Sequence, residues 1–259
     1  MFEDDIIPAF KRYQAWLYLS WFDIKQRYKR STLGPFWVTI STGILIGMLS
    51  ILWSTLFKLD VKDYVPFFSI GQVVWTFIAM QLTDASMGFG QFDYIIRQSK
   101  VSFTSFILRL ISRNLIIFAH NFVIVFFVIT FVSGSGWSFT ALFSILGLLI
   151  LSIALSGFSL LLTIICTRFR DVQMIVQNFL MVAFYFTPIM WKTDQLSENV
   201  KFYVNFNPIV HYMSIIRDPL LGIPPSLLSW IVSIIVAIFF IILSLVVLNK
   251  YRNRIAYWL

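Results

Sequence analysis

Residues 33–57 form an uncharged stretch, LGPFWVTISTGILIGMLSILWSTLF, which decides the fold class of the chain. An α-helix rises about 1.5 Å per residue, so about 20 apolar residues cross a hydrocarbon layer about 30 Å thick. This stretch is longer than that, and it carries no charge that would oppose insertion. It therefore predicts a helix that spans a membrane.

Five further uncharged runs have the same character, which gives six predicted spans in a single transmembrane domain over residues 1–259. They cover Tyr64–Thr83, Asn114–Val132, Phe139–Cys166, Val172–Trp191 and Leu227–Leu248. The chain is 59% hydrophobic and 12% charged, whereas an average soluble domain is about 25% charged. With a single cysteine as well, the composition excludes a soluble enzyme, a disordered chain and a disulfide scaffold. The predicted fold is an all-α polytopic membrane protein.

The basic residues orient these spans. Fifteen of the 20 Lys and Arg residues precede span one, follow span two, separate spans four and five, or follow span six. The other five are Lys58, Lys62, Lys192, Lys201 and Arg217. Because basic residues concentrate on the cytoplasmic side, both termini are predicted to be cytoplasmic. The net charge of +8 then marks orientation, and nucleic acid is not an expected partner.

Two segments differ from plain spans. Residues 1–32 predict an amphipathic helix in the cytoplasmic interface, in contact with membrane lipids, because apolar residues recur there at helical spacing beside basic ones. The recurring residues are Phe10, Tyr13, Leu17 and Trp21. Residues 192–226 are too polar to cross and too apolar for a solvated loop, so they predict a re-entrant helical hairpin on the external side. Residues 249–259 are expected to be a cytoplasmic tail.

No catalytic or metal-binding pattern stands out. His120 and His211 fall on opposite sides of the predicted topology, whereas metal sites need clustered ligands. None of the 11 glycines belongs to a Gly-x-x-x-x-Gly-Lys-Ser/Thr loop, so ATP-driven work would need an ATPase on another polypeptide. His120 has two interpretations, a proton relay or a histidine that packs between helices. Asp84 is expected either at the headgroup level or paired with Arg109 or Arg113.

One face of span one combines hydroxyl groups, glycines and aromatic rings. Its members are Phe36, Thr39, Gly43, Gly47, Ser50, Ser54 and Phe57, at steps of three and four residues. Two interpretations stay open: the face packs closely against another helix, for instance in a second copy, or it lines a conduit. Both hold if the conduit lies between two copies.

Aromatic residues also gather at the end of span five. Trp191, with Trp53 or Phe57, fits a belt that anchors helices at the membrane interface. Phe184 and Tyr185 are expected deeper, where flat rings either pack simply or offer a stacking surface to a sliding sugar chain. The predicted conduit residues are Phe36, Thr39, Ser50, Trp53, Ser54, Phe57, Phe184, Tyr185 and Trp191.

Five short motifs occur in a recognisable order. They are RYKRSTLGPFW at 27–37, TRFRD at 167–171, FYFTPIMW at 184–191, NPIVHYMSIIR at 207–217 with a following Pro219, and YRNRIAYWL at 251–259. Together they resemble the membrane subunit of ABC exporters of bacterial surface polysaccharides, above all the O-antigen (Wzm-type) family, with capsule and teichoic-acid exporters as relatives. The resemblance covers nearly the whole chain.

The resemblance implies a homodimer in the bacterial inner membrane, with a lipid-linked glycan as substrate. Each copy would bind a cytoplasmic ATPase subunit that holds ATP and magnesium, and this chain would bind no cofactor itself. The loop after span two would receive the motion of the ATPase through Asp93, Tyr94, Ile95 and Arg97; an ordinary charged surface loop is the alternative. The conduit would lie between the subunits, bordered by spans one and five.

The basic residues near the cytoplasmic surface have two interpretations. As an entrance, they would attract a lipid pyrophosphate; otherwise they only anchor the topology. The residues concerned are Arg27, Lys29, Arg30, Arg109 and Arg113. Two alternatives to O-antigen export stay open: another cargo on the same scaffold (capsule, teichoic acid, lipid or drug), and an integral-membrane enzyme that modifies lipids.

Overall fold

The computed structural model describes residues 5–27, 29, 31–34, 36–98, 102–133, 136–193 and 197–259. Within these ranges every regular element is a helix, which confirms the all-α prediction there. Two short helices, α1 (Ile7–Lys11) and α2 (Tyr13–Arg27), precede the first long one, and α5 (Asp93–Gln98) lies between the second and the third.

Five helices are long and apolar enough to cross a membrane. They are α3 (Phe36–Phe57), α4 (Val61–Ser86), α6 (Phe103–Phe131), α7 (Leu142–Arg168) and α11 (Leu227–Trp258). The predicted fifth span is shorter, because α8 (Val172–Phe186) has 15 residues, or about 22 Å against the 30 Å or so of a hydrocarbon layer. The described residues thus contain five long helices and one short apolar helix where six full spans were predicted.

Pro188 explains why α8 ends early. Thr187 before it is extended (φ −94°, ψ 137°), as expected for a residue that precedes proline. The chain then lies against α4, where the Tyr64 hydroxyl donates to the Met190 carbonyl at 2.9 Å. The uncharged run to Trp191 therefore contains a shorter helix than the sequence predicts.

Helices α9 (Glu198–Asn205) and α10 (Pro208–Leu220) form the segment that was predicted as a hairpin. α10 packs against α7, α11 and α4. The Ser144 hydroxyl of α7 donates to the Ile216 carbonyl at 2.7 Å. A Cβ atom on Gly147 would lie 2.5 Å from the Ile215 carbonyl oxygen, so this glycine permits the close approach of α10. α10 is consequently an inner helix of the subunit.

α7 and α11 form the most extensive contact between helices. They approach most closely at Gly157, where a Cβ atom would lie 2.7 Å from the Ile241 nitrogen. Phe158 and Phe240 pack beside this crossing with ring centroids 4.7 Å apart. A side chain at position 157 would have to push the two backbones apart.

A second hydrophobic cluster lies at the end of the subunit that holds the carboxyl ends of α7 and α11. It comprises Phe89, Phe92, Phe106, Ile107, Leu110, Leu160, Ile164, Leu248 and Ile255. α11 enters this cluster without a break, so residues 249–258, predicted as a tail, continue the sixth predicted span as helix. Gly88 (φ +67°) turns the chain from α4 toward the cluster, and a Cβ atom there would lie 3.0 Å from the Thr167 nitrogen.

The amino-terminal helices pack against α6. On α2 only Ser20 and Ile24 are buried, and the Ser20 hydroxyl donates to the Arg109 carbonyl at 2.8 Å. The residues predicted to face lipid, Phe10, Tyr13, Leu17 and Trp21, are all exposed. Their exposure leaves this face available to a membrane interface.

Asp5 ties the start of the chain to the start of α6. Its carboxylate accepts from the backbone nitrogens of Phe103 at 2.8 Å and Thr104 at 3.0 Å, and from the Ser102 hydroxyl at 3.1 Å. The first N–H groups of a helix have no partner within the helix and carry a partial positive charge. A buried carboxylate therefore stabilises this end of α6.

Candidate functional site

Four of the predicted conduit residues meet at one end of α3, α4 and α8. The rings of Trp53 and Phe57 stack with centroids 5.0 Å apart and planes 3° apart. The Trp191 indole donates to the Tyr185 carbonyl at 3.1 Å. Trp53, Phe57, Tyr185 and Trp191, here called the aromatic cluster, line a cavity of about 160 Å³ with Leu59, Tyr64, Met190 and Lys192.

The aromatic cluster holds one unused hydrogen-bond donor. The Trp53 indole nitrogen is buried, and the described residues offer it no acceptor. A buried polar group without a partner is costly, and buried Trp N–H groups usually find one. The cavity itself presents flat aromatic faces, which suit the C–H faces of a sugar ring.

A separate groove of about 300 Å³ lies between α4 and α8. Trp75 and Phe184 contact each other across it with centroids 5.7 Å apart. Thr83 and Gln177 supply polar atoms along it. Tyr185 borders both the cavity and the groove, so the two lie on either side of one residue of α8.

The hydroxyl face of α3 points elsewhere. Ser50 is 2% exposed and Ser54 is 8% exposed, because this side of α3 packs against α4 and α6. The prediction that Ser50 and Ser54 line a conduit is therefore wrong within the subunit. Thr39 is half-buried, while Phe36 is exposed and meets His120 edge-on at 5.7 Å.

The two glycines of α3 have different surroundings. A Cβ atom on Gly43 would lie 3.6 Å from Ile124 of α6, whereas one on Gly47 would meet nothing within 4 Å. The Gly-x-x-x-Gly pattern therefore does not mark one contact within the subunit. The outward side of α3 is apolar, and its exposed residues are Ile44, Leu45, Met48, Ile51, Leu52 and Leu56.

Charged residues form a buried network between α2, α4 and α6. The Arg109 guanidinium binds both carboxylate oxygens of Asp23, at 2.8 and 2.5 Å. Arg113 lies 2.6 Å from Asp84 and 3.8 Å from Asp23. The predicted pairing of Asp84 with Arg113 is confirmed, whereas Arg109 takes Asp23 as its partner.

Uncharged polar groups extend this network to α7. The Asn114 side chain donates to Asp84 at 2.9 Å and to Gln81 at 2.8 Å. Gln81 in turn donates to the Ser159 hydroxyl at 2.9 Å. The sequence analysis missed Asp23, Gln81, Asn114 and Ser159; the amides at 81 and 114 inside apolar stretches were the available signal, since buried polar groups need partners.

The predicted entrance residues are not brought together at one surface. Arg27 and Lys29 are exposed, and Arg30 lies outside the described residues. Arg109 and Arg113 are buried and paired, so their charges are neutralised inside the fold.

The predicted coupling residues lie on α5 and beside it. Tyr94 is 74% exposed, whereas Asp93 and Ile95 are half-buried. Ile95 also packs against the second hydrophobic cluster of the same chain. The side chain of Arg97 lies outside the described residues.

A polar cavity of about 640 Å³ opens between the first turn of α4, α10 and the start of α11. Arg217 is the buried cation of this cavity: its guanidinium donates to the Pro188 carbonyl at 2.6 Å and lies 3.9 Å from the Phe67 ring centroid. Burial lowers the pKa of Arg217 to about 10, partly opposed by the neighbouring Asp218. Burial also raises the pKa of Asp218, although Ser214 and Arg217 stabilise its carboxylate. Arg217 thus stays charged at neutral pH.

The histidines and the cysteine are far from one another. His120 contacts its own helix through the Ile116 carbonyl at 2.7 Å, as a packing histidine does. His211 bridges the Asn205 carbonyl and the Ser229 hydroxyl. In the part of the chain that the structure describes, no three His, Cys, Asp or Glu side chains group as metal ligands would.

Comparison with known proteins gives two kinds of match. The family profile described as ABC-2 type transporter matches residues 14–221. Two proteins of Klebsiella pneumoniae, both named O-antigen export system permease protein RfbA, are similar to this chain. One is 26% identical over 243 residues, covering 90% of each chain, and the other is 25% identical over 204 residues, covering 76% of each.

Proposed function

The chain belongs to the ABC-2 type transporter family, and from this premise we propose that it exports a lipid-linked polysaccharide of O-antigen type across the bacterial inner membrane. As a membrane subunit of an ABC exporter it works with an ATP-binding partner subunit, which we propose carries the ATP and magnesium sites. The names of the two Klebsiella relatives support the choice of cargo.

The observation that carries the proposal is the aromatic cluster and its cavity, with the groove between α4 and α8 next to it at Tyr185. Flat aromatic rings lose little conformational freedom when a ligand stacks on them, so they hold a sugar ring without trapping it. Such a surface would hold a polysaccharide weakly enough for it to slide.

A homodimer would turn this surface into a conduit. α3 and α8 flank the aromatic cluster, and much of their remaining surface is exposed and apolar. Large exposed apolar faces mark contacts with lipid or another protein. We propose that these two helices of one copy face those of the other, with the groove between them as the path of the glycan.

The proposed topology has six crossings with both termini in the cytoplasm. α8 supplies the fifth crossing, and the loop through Trp191 with α9 and α10 completes it as a re-entrant external gate. Non-helical backbone at this depth is tolerated where protein covers it, and the contacts of Tyr64 and Arg217 with the segment after α8 provide such cover. α5 with its exposed Tyr94 would receive the ATPase.

The entrance role is proposed for Arg27 and Lys29, with Arg30 beside them in sequence. Basic residues at the cytoplasmic end of the first span would attract a lipid pyrophosphate electrostatically. Arg109 and Arg113 are not included in this role, because both are paired with carboxylates inside the protein. Replacing Arg27 and Arg30 by Gln should therefore lower export while the subunit still assembles with its ATPase.

The test of the proposed function is glycan export in cells that also contain the partner ATPase. The triple variant Trp53→Leu, Tyr185→Leu and Trp191→Leu should lose most export and most stimulation of ATP hydrolysis by lipid-linked glycan. Phe126→Leu, on the exposed side of α6 away from the cluster, is the matched control and should export normally. Normal export by the triple variant would refute the role of the aromatic surface. ATP hydrolysis that responds to other cargo but not to glycan would refute polysaccharide export.

A further inference from the structure

We infer that α7 and α11 together bind one anionic phospholipid, in a groove that ends at Arg168 and Arg254. The groove has a volume of about 430 Å³. The inference rests on the membrane placement proposed above, but it does not depend on the cargo or on export.

The groove follows from the way the two helices cross. They touch at Gly157 and run in the same direction toward their carboxyl ends, where the groove opens between them. Each helix lines it with one stripe at helical spacing. The stripe of α7 is Leu161, Ile164, Ile165 and Arg168, and that of α11 is Val247, Tyr251, Arg254 and Trp258.

The open end of the groove is cationic and aromatic. The Arg168 guanidinium lies 5.6 Å from the Trp258 ring centroid and 5.9 Å from that of Phe169. In the described part of the chain no carboxylate forms an ion pair with Arg168 or Arg254, in contrast to Arg109 and Arg113. Two uncompensated guanidinium groups suit a phosphate, which arginine binds through paired N–H donors. Basic pockets between membrane helices bind anionic lipid headgroups in this way.

The inner end of the groove is apolar. Leu161 precedes Arg168 by two helical turns, about 10 Å along the helix axis, and Val247 faces it from α11. A phosphate at the arginines would thus place an acyl chain against aliphatic side chains below it. Tyr251 and Trp258 add aromatic rings to the lining, a residue type that is enriched where membrane helices meet the interface. The arrangement matches a phospholipid from headgroup to chain, whereas an acidic segment of a protein would leave the apolar wall uncovered.

The test measures lipid binding to the purified full-length subunit, without ATPase or glycan. Phosphatidylglycerol and phosphatidylcholine with the same acyl chains are compared by native mass spectrometry, with soluble glycerol phosphate as a third probe. We expect phosphatidylglycerol to bind preferentially. Arg168→Gln/Arg254→Gln should weaken it by about 5-fold for each arginine removed, since a basic residue near the membrane surface contributes about 1 kcal/mol.

Two further variants make the test specific. Arg12→Gln/Arg170→Gln removes the same charge from exposed positions outside the groove and should bind phosphatidylglycerol as the unmodified subunit does. Val247→Trp fills the apolar end with both arginines intact and should also weaken binding. Equal binding by the Arg168→Gln/Arg254→Gln variant, equal binding of phosphatidylcholine, or glycerol phosphate binding as tight as lipid binding would overturn the inference. So would a variant that keeps its lipid but no longer binds the ATPase, because the arginines would then serve the protein partner.

Discussion

The pair of Asp84 and Arg113 offers the sharpest test of the buried charge network. Asp84→Asn keeps the shape of the side chain and removes its charge. Arg113 would then have only Asp23 at 3.8 Å, and that carboxylate is already bound on both oxygens by Arg109. The variant therefore leaves a guanidinium without adequate compensation inside the protein.

The burial of both side chains sets the magnitude. Each is 10% exposed, so the 0–1 kcal/mol or so typical of a surface ion pair does not apply. Removing one partner of a buried pair costs about 3–5 kcal/mol, whereas replacing both by apolar residues is often neutral or stabilising. We expect Asp84→Asn to lower the free energy of unfolding by about 3–5 kcal/mol. Asp84→Leu/Arg113→Met should recover most of that loss.

The assay is reversible unfolding of the purified subunit in mixed micelles by titration with a denaturing detergent. Asp84→Leu, Arg113→Met and their double variant form a double-mutant cycle, which isolates the interaction of the pair. A loss below about 1 kcal/mol for Asp84→Asn, with additive effects in the double variant, would show that water screens the pair. The reasoning from burial would then be refuted.

Three other substitutions probe single contacts. Gly157→Ala should lower the melting temperature, because overpacking against the α11 backbone costs about 1–3 kcal/mol, while Gly47→Ala, with nothing within 4 Å, should leave it unchanged or slightly higher. Asp5→Ala should cost about 0.5–2 kcal/mol, the usual range for a lost helix cap, and speed amide exchange in the first turn of α6. Arg217→Met should lower the melting temperature, because the Pro188 carbonyl loses its donor and the half-buried Asp218 loses the cation 3.8 Å away, and adding Asp218→Asn should restore part of the loss. An unchanged melting temperature for Gly157→Ala, unchanged exchange for Asp5→Ala, or no restoration by Asp218→Asn would contradict each in turn.

The long helices could be predicted from sequence because length and absence of charge are physical requirements of a membrane span. Their ends were harder. Arg109 and Arg113 were assigned to a surface, yet α6 begins at Phe103 and includes both. The pair of Asp84 and Arg113 was one of two alternatives predicted for Asp84, whereas Asp23, the partner of Arg109, is distant along the chain and was not predicted. Pro188 lies within the uncharged run Val172–Trp191, but the absence of charge does not show that α8 ends before it.

The candidate site was predictable in its residue types and less so in its directions. Trp53, Phe57, Tyr185 and Trp191 come together as expected for aromatic residues at the ends of neighbouring spans. Ser50 and Ser54 lie on the helical face that was predicted to line a conduit. Helical spacing identifies the residues of a face, but it does not show what that face packs against. Which face turns inward is decided by α4 and α6, whose contacts the pattern of α3 does not encode.

The sparse burial of α3 has a consequence for biosynthesis. Only 11% of its most apolar window is buried, against 72% for α4. The first long helix to emerge during translation is thus the one that the rest of the subunit holds least. α3 would remain mobile in the bilayer while the later helices assemble. Its final position would be fixed only when another helix or a second copy packs against its exposed side. Pulse-labelled chains should therefore acquire protease resistance in α4 to α7 before α3.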